Sequence, residues 1–493
     1  MMYGPEKSDS AIVAMKLANN AAPAAAEWVE PRAGTKGNAA QSRTQRTQRR
    51  ASVSPGLDRV RNAAKQRKKE KFTALLHHVT IDLLRDAFLA LKRRAAPGVD
   101  GVTWQDYEAD LEGNLRNLHE RVHRSTYRAQ PVRRRFIPKP GTEKQRPLGI
   151  AALEDKIVQR AVIVVLNAIY EEDFLGFSYG FRPGRGQHDA LDALSVAISG
   201  TRVNWILDTD IRSFFDRLSQ DWLIRFLEHR IGDERIIRLV QKWLKAGVLE
   251  DGVWSLSEAG TPQGAVASPL LANVYLHYVF DLWAQQWRRR EACGNVIFVR
   301  YADDIVAGFE NEADARRFWD AMRARFAQFE LELHEEKTRL LEFGRNAAGR
   351  RRRNGLGKPE TFNFLGFTFI CGKSRRGAFL LRRQTRRDRM RAKLREVKEE
   401  LRRRMHAPIP EQGRWLQAVV RGFFAYHAVP TNTRALQAFR YHVTVLWRRT
   451  LRRRSQKDCM TWGRTARLAD AWLPSPRILH PWPSERFAVN HPR

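Results

Sequence analysis

The stretch Phe298-Val299-Arg300-Tyr301-Ala302-Asp303-Asp304-Ile305-Val306-Ala307-Gly308-Phe309 places two β-branched and aromatic runs on either side of two adjacent carboxylates. Runs of this composition favour strands, and the Ala-Asp-Asp break between them makes a hairpin with both acids at its tip. Neighbouring like charges repel, so the pair is costly unless cations neutralise it, and carboxylate oxygens suit a hard cation such as Mg²⁺. By itself an Asp pair in a turn is ordinary turn chemistry. A third acid gives it direction. In Val203-Asn204-Trp205-Ile206-Leu207-Asp208-Thr209-Asp210-Ile211-Arg212-Ser213-Phe214-Phe215 an apolar strand runs into Asp210, and an aromatic pair follows. Two-metal phosphoryl transfer needs acids from neighbouring strands to hold two cations about 3.5–4 Å apart, one for the attacking oxygen and one for the leaving group. Asp210 and Asp303 are separated by 93 positions (303 − 210), so only a folded sheet brings them together.

With Asp210 added, the pattern resembles the palm of a nucleic-acid polymerase, and Tyr301-Ala302-Asp303-Asp304 has the reverse-transcriptase form of its metal turn. Charge agrees with that reading. The 493 residues carry a net charge of +34 with a pI near 10.9, and such a field favours polyanions, which makes nucleic acid the leading partner. At 43% hydrophobic residues the chain has the material for about three domains of ordinary size. No apolar run approaches the roughly 18 residues a membrane span needs, so no membrane partner is expected. Cys293, Cys371 and Cys459 stand alone, with neither zinc spacing nor an even disulfide framework, which points to a reducing compartment. Residues 1–70 are rich in Ala, Arg, Gln and Ser and read as a basic, mostly disordered arm that orders on RNA. An Arg-rich start shares composition with transit peptides, but Glu6, Asp9, Glu27 and Glu30 count against one.

Along the chain, a capped helix is predicted from Thr80. Arg133 to Ile150 then reads as a strand, a Lys/Pro/Gly loop and a return, where fingers would grip an incoming triphosphate through Lys139 and Arg146; a solvated hairpin is the alternative. In Ser178-Tyr179-Gly180-Phe181-Arg182-Pro183-Gly184-Arg185-Gly186, Arg182 and Arg185 beside an aromatic pair are candidates for template contact by stacking and phosphate charge; a plain helix-entry loop is the alternative. Phe215 lies five residues past Asp210, where a flat ring would occupy the space of a ribose 2′-hydroxyl and favour deoxynucleotides; a core aromatic is the alternative. Gln263, in Gly260-Thr261-Pro262-Gln263-Gly264, is a candidate hydrogen-bond partner for the nucleotide or primer terminus, with small neighbours that let backbone approach closely. Lys337 is a candidate proton donor to the leaving pyrophosphate; an ordinary surface lysine is the alternative.

From residue 381 to 460 there are 22 Lys/Arg and 6 Asp/Glu, a net of +16, on helices predicted near 384–405, 412–427 and 432–453. Their apolar stripes, with Trp415, Phe423, Phe424, Tyr426 and Trp447, must face one another, leaving a basic surface suited to a duplex. Among Arg402, Arg403, Arg404, Arg452, Arg453 and Arg454, some are expected to hold a folded RNA instead of the primer–template duplex.

Taken in order, Phe181-Arg182-Pro183-Gly184-Arg185, the Asp210 block, Thr261-Pro262-Gln263-Gly264, the Tyr-Ala-Asp-Asp turn, Phe364-Leu365-Gly366-Phe367 and the basic helices resemble a bacterial group II intron-encoded reverse transcriptase and maturase, over about residues 57 to 490. The resemblance implies an α+β right-hand polymerase, with fingers and palm built of an antiparallel sheet plus helices and followed by an all-α thumb. It divides the chain into the arm (1–70), fingers and palm (71–380), a helical thumb or domain X (381–460) and a Pro-rich tail (461–493), read as a docked extended segment or a DNA contact. It implies Asp210, Asp303 and Asp304 as catalytic ligands of two Mg²⁺ ions, with the Ile211 backbone helping. It further implies RNA-templated DNA synthesis from dNTPs on a DNA primer or target, assistance to splicing and mobility of the intron RNA, and a bacterial cytoplasm with nucleoid association through DNA. Ala265-Val266-Ala267 departs from the family's usual small residue and Val-Ile, an expected change of tuning. Cys pairs of a His-Asn-His nuclease are missing, so second-strand cleavage is not expected. Two rivals remain: a domesticated relative serving phage defence, CRISPR adaptation or a retron-like role, and an RNA-binding splicing cofactor that does not polymerise. Intact clustered acids argue against the second.

Overall fold

The computed structural model describes residues 55–138, 145–250, 253–255, 260–261, 264–454 and 460–490. The architecture is α+β: three small sheets carried on helices, followed by helices alone. Eleven strands are described: β1 (Val132–Pro138), β2 (Gln145–Ile150), β3 (Trp205–Thr209), β4 (Val248–Glu250), β5 (Val253–Ser255), β6 (Val296–Tyr301), β7 (Asp304–Phe309), β8 (Arg339–Glu342), β9 (Phe362–Phe364), β10 (Phe367–Lys373) and β11 (Phe379–Thr385).

The central sheet has the order β6-β7-β3-β8 and is antiparallel throughout. Side chains alternate across a strand, and here both faces are covered, which is why 296–299 of β6 and 305–309 of β7 read as unbroken apolar runs. Val296 and Phe298 enter the large N-terminal core, while Ile297 and Val299 enter a second core with the helix Gln187–Gly200. A second sheet, β2-β1-β4-β5, is not purely antiparallel as expected: β1 runs parallel to β4 through Val132↔Val248 and Arg133↔Leu249. Returning from β2 through the long helix Leu153–Asp173 leaves β4 free to approach β1 from the other side.

Three expected boundaries shift. The helix Pro55–Gln66 belongs to the folded body, burying Leu57, Val60 and Ala64 against the Leu153–Asp173 helix, so the arm expected over 1–70 is folded from 55 onward. Residues 1–54 lie outside the described residues. At the other end, β11 continues to Thr385 and completes the β9-β10-β11 sheet, so a division at 380 would cut a strand. The helical part comprises Arg387–Arg403, Ile409–His427 and Thr433–Arg452, together with Trp462–Trp472, whose Ala469 sits in the same core as Leu416, Phe439 and Trp447. Gly413 admits that last helix, since a Cβ there would lie 2.4 Å from the Trp472 ring. The tail is therefore partly helical and docked: Leu479 N donates to Ala428 O (2.9 Å), and the helix Pro483–Asn490 packs on Gln187–Gly200. Among the described residues no helix is long and apolar enough to cross a membrane.

Candidate active site

Register alone brings the distant acids together. The last β3–β7 pair is Thr209↔Ile305, so continuing it by one residue sets Asp210 opposite Asp304, which itself pairs with Tyr301 across the hairpin. Asp303 occupies the turn between them, and Ala302 before it takes φ +56°, a left-handed conformation that costs a residue with a Cβ. The fold over-determines that turn. Arg300, fully buried, donates from Nη1 to Ala302 O (3.1 Å) and Asn273 Oδ1 (2.9 Å) and from Nη2 to Ser178 Oγ (2.7 Å). Its Nε and Nη2 also pair with both oxygens of buried Asp281 (2.7 and 2.6 Å). Asp281 closes a π-helical turn, His277–Asp281, of the kind that accumulates at functional sites. On the other flank a Cβ at Gly180 would lie 2.2 Å from Ala302 N, so only glycine lets that backbone lie against the turn. Sequence reading missed Arg300 and Asp281, although an Arg inside an otherwise apolar strand was a signal of a buried, bonded charge.

Asp210 is positioned from its backbone: its carbonyl accepts from His334 N (2.8 Å) and its N–H donates to Thr338 Oγ1 (3.4 Å). Ile211, buried, forms a bridge with Leu333. Lys337 does reach the site, its Nζ 3.1 Å from Asp210 Oδ2. A fourth acid, Asp208, stands two residues earlier and so on the same side of β3 as Asp210. Its Oδ2 lies 3.8 Å from Arg339, and burial pushes its carboxyl up to about 6. Crowding by protein atoms, then repulsion from Asp303, Asp210 and Asp208, pushes Asp304 up to about 7. Because Asp304 keeps solvent contact, the repulsion is the cause with weight. Among the described residues the acids are not drawn into a closed three-ligand cluster. The Lys337 ammonium is the cation that stands beside Asp210, and the oxygen-only donor set fits hard divalent cations.

Described segments that flank the nucleotide candidates meet. Thr261 N donates to Phe215 O (2.8 Å), and a Cβ at Gly264 would lie 2.6 Å from Leu148 on β2, so Thr261 lies against the Phe215 segment and Gly264 against β2. Phe215 is half-buried, edge-on to Phe214 at 5.3 Å. Lys139 and Gln263 lie outside the described residues, as does the side chain of Arg146.

Arg182 and Arg185 require correction. Arg182 is buried and turned inward, bonding the Leu175 and Ser178 carbonyls (2.8 and 2.9 Å) and pairing with Glu171 (3.0 Å). Arg185 donates to Gly176 O (2.6 Å). Both hold the loop together, because its turning backbone leaves carbonyls that need donors. In the helical region Arg404 pairs with Glu400 (2.7 Å) and lies over Trp415, and Arg454 bonds the Met405 and Ala407 carbonyls, so neither is an outward RNA contact as expected. Arg402, Arg403, Arg452 and Arg453 are exposed.

Comparison with known proteins gives the family of the sequence that carries this site. Residues 137–369 match the family described as reverse transcriptase (RNA-dependent DNA polymerase). Protein YkfC of Escherichia coli is 32% identical over 323 residues, covering 59% of this chain and 80% of that protein. The group II intron-encoded protein LtrA of Lactococcus lactis is 35% identical over 222 residues, 45% of this chain and 37% of LtrA. A 91 kDa protein in the cob intron of Schizosaccharomyces pombe is 44% identical over 147 residues, 30% of this chain and 18% of that protein.

Proposed function

The chain belongs to the family of group II intron-encoded reverse transcriptases and maturases, and from that premise we propose that it copies RNA into DNA and binds its intron RNA to aid splicing and mobility. The observation that carries the reading is the register that sets Asp210 opposite Asp304 beside a turn held from both flanks. In this reading the β6-β7-β3-β8 sheet is the palm, the β2-β1-β4-β5 sheet belongs to the fingers, and the basic helices form the thumb and maturase surface. Asp210, Asp303 and Asp304, with the Ile211 carbonyl, would hold two Mg²⁺ ions. When bound, these ions neutralise the charge on the attacking and leaving oxygens of an in-line displacement. The chain's own residues align what reacts. Arg300 keeps the turn in place, Phe215 closes off the 2′ position of an incoming dNTP, and Gln263, Arg146 and Lys139 grip its base side and phosphates. Lys337, whose Nζ lies 3.1 Å from Asp210 Oδ2, would supply a proton to the departing pyrophosphate.

Primer extension on an RNA template tests this directly. Asp303→Asn should abolish synthesis while RNA binding survives, because the basic field remains, and Phe215→Ala should admit ribonucleotides. Extension by Asp303→Asn within tenfold of wild type would overturn the metal assignment, and unchanged dNTP preference would make Phe215 a core ring.

A further inference from the structure

Phe181 combines two features that folding alone disfavours. Its φ is +59°, a left-handed backbone that is a genuine outlier for a bulky residue, and its side chain is 48% exposed. A glycine would relieve both, so neither the strain nor the exposed ring is explained by stability. The neighbours enforce the arrangement. Gly180 is wedged against Ala302 N and its carbonyl accepts from Asn273 Nδ2 (2.7 Å), while Arg182 is anchored inward by Glu171 and two carbonyls. Between these fixed points the chain turns Phe181 outward. The other aromatic of the segment, Tyr179, is buried. The Phe181 ring lies 6.3 Å from that of Tyr301, the residue paired with Asp304 across the hairpin.

We propose that Phe181 is a stacking surface for a nucleotide of the strand that passes the catalytic turn. The proposal rests on the polymerase reading of that turn. Every base has a π-face, so a ring at this place orders the strand without reading its sequence, as copying arbitrary templates requires. With Arg182 and Arg185 bonded internally, the contact made by this loop is aromatic rather than ionic. Primer terminus and template present the same chemistry, and labelling separates them.

The test is Phe181→Gly, with Phe181→Tyr as the conservative variant, measured on a primer–template carrying 2-aminopurine either at the primer end or in the template. Loss of one base–aromatic stack should weaken primer–template affinity roughly 5- to 150-fold. In wild type and Phe181→Tyr the probe should be quenched at one of the two positions, which identifies the strand, and in Phe181→Gly that quenching should vanish while the melting temperature holds or rises. Wild-type affinity and quenching in Phe181→Gly would overturn the proposal. So would a weaker binding that tracks a lowered melting temperature with quenching intact. Binding is read without catalysis, so a wild-type protein that stacks the probe but extends no primer would refute the polymerase reading and leave the stacking surface standing.

Discussion

Arg300 shows how one buried side chain can decide the geometry of a site it does not itself form. It bonds Asp281 at both oxygens, and also Asn273, Ser178 and the Ala302 carbonyl, all out of contact with solvent. Breaking such a pair strips buried Asp281 of its guanidinium and leaves it only His277, 3.8 Å away, at a cost of about 3–5 kcal/mol, and a lysine supplies the charge without the planar fork. Arg300→Lys should therefore lower the melting temperature and reduce kcat for primer extension at least tenfold with primer–template affinity little changed. A lowered melting temperature with normal kcat would mean that the network serves the fold alone. Asp304 makes a pH prediction. Crowding by protein atoms together with the neighbouring carboxylates raises it to about 7, so below that pH it holds a proton that a cation must displace. The Mg²⁺ concentration for half-maximal extension should rise as pH falls from 8 to 6, by up to about tenfold per unit below 7, and level off above it. Titrations across that range that show a constant requirement would count against a protonated acid in the resting site. The acids themselves were legible in the sequence because their spacing and flanking strands are local; Arg300's partners, 19, 27 and 122 positions away, were not.

Among elements, the basic helices were the most readable: those expected near 384–405, 412–427 and 432–453 are Arg387–Arg403, Ile409–His427 and Thr433–Arg452. Their apolar stripes recur at helical spacing, and Pro408 and Asn432 sit at the N-caps of the second and third. Trp462–Trp472 and Pro483–Asn490 were not anticipated, since the prolines between them read as extended chain and their stability comes from docking. What the helices do with their arginines divides them. Arg402→Gln with Arg403→Gln, or Arg452→Gln with Arg453→Gln, should weaken intron RNA binding and flatten its salt dependence, by about 0.7–0.9 in log–log slope per lost phosphate contact. Generic primer extension should suffer less. Arg404→Gln and Arg454→Gln should instead lower the melting temperature, having internal partners. Parallel loss of both activities in every exposed pair would leave a duplex clamp and no separate RNA surface.

At the scale of the whole molecule, Asp192 joins three parts. It stands buried on the Gln187–Gly200 helix, with Oδ1 2.6 Å from Arg383 on β11 and Oδ2 3.2 Å from Arg486 on the last helix. Burial raises its carboxyl despite both arginines, so the triad is held by geometry rather than by a surplus of attraction. Asp192→Ala would leave the buried Arg383 guanidinium uncompensated, at a cost of about 3–5 kcal/mol, and take from the partly exposed Arg486 the partner that docks its helix, so it should free the helix Pro483–Asn490. A lower melting temperature with faster amide exchange at 483–490 is the expected result, and unchanged exchange there would show that the docking of this helix is independent of the triad. The sequence by itself determined the chemistry: a polyanion-binding charge, three acids at two strand ends, a hairpin between them and an all-helical basic region, each carried by composition or by local periodicity. Tertiary structure alone decided which charges face outward and which aromatic meets solvent. A guanidinium looks the same in a string whether it meets a phosphate or a carbonyl. The groups that choose, Glu171 for Arg182, Met405 for Arg454 and Asp192 for Arg383, come within hydrogen-bonding distance only once the chain has folded.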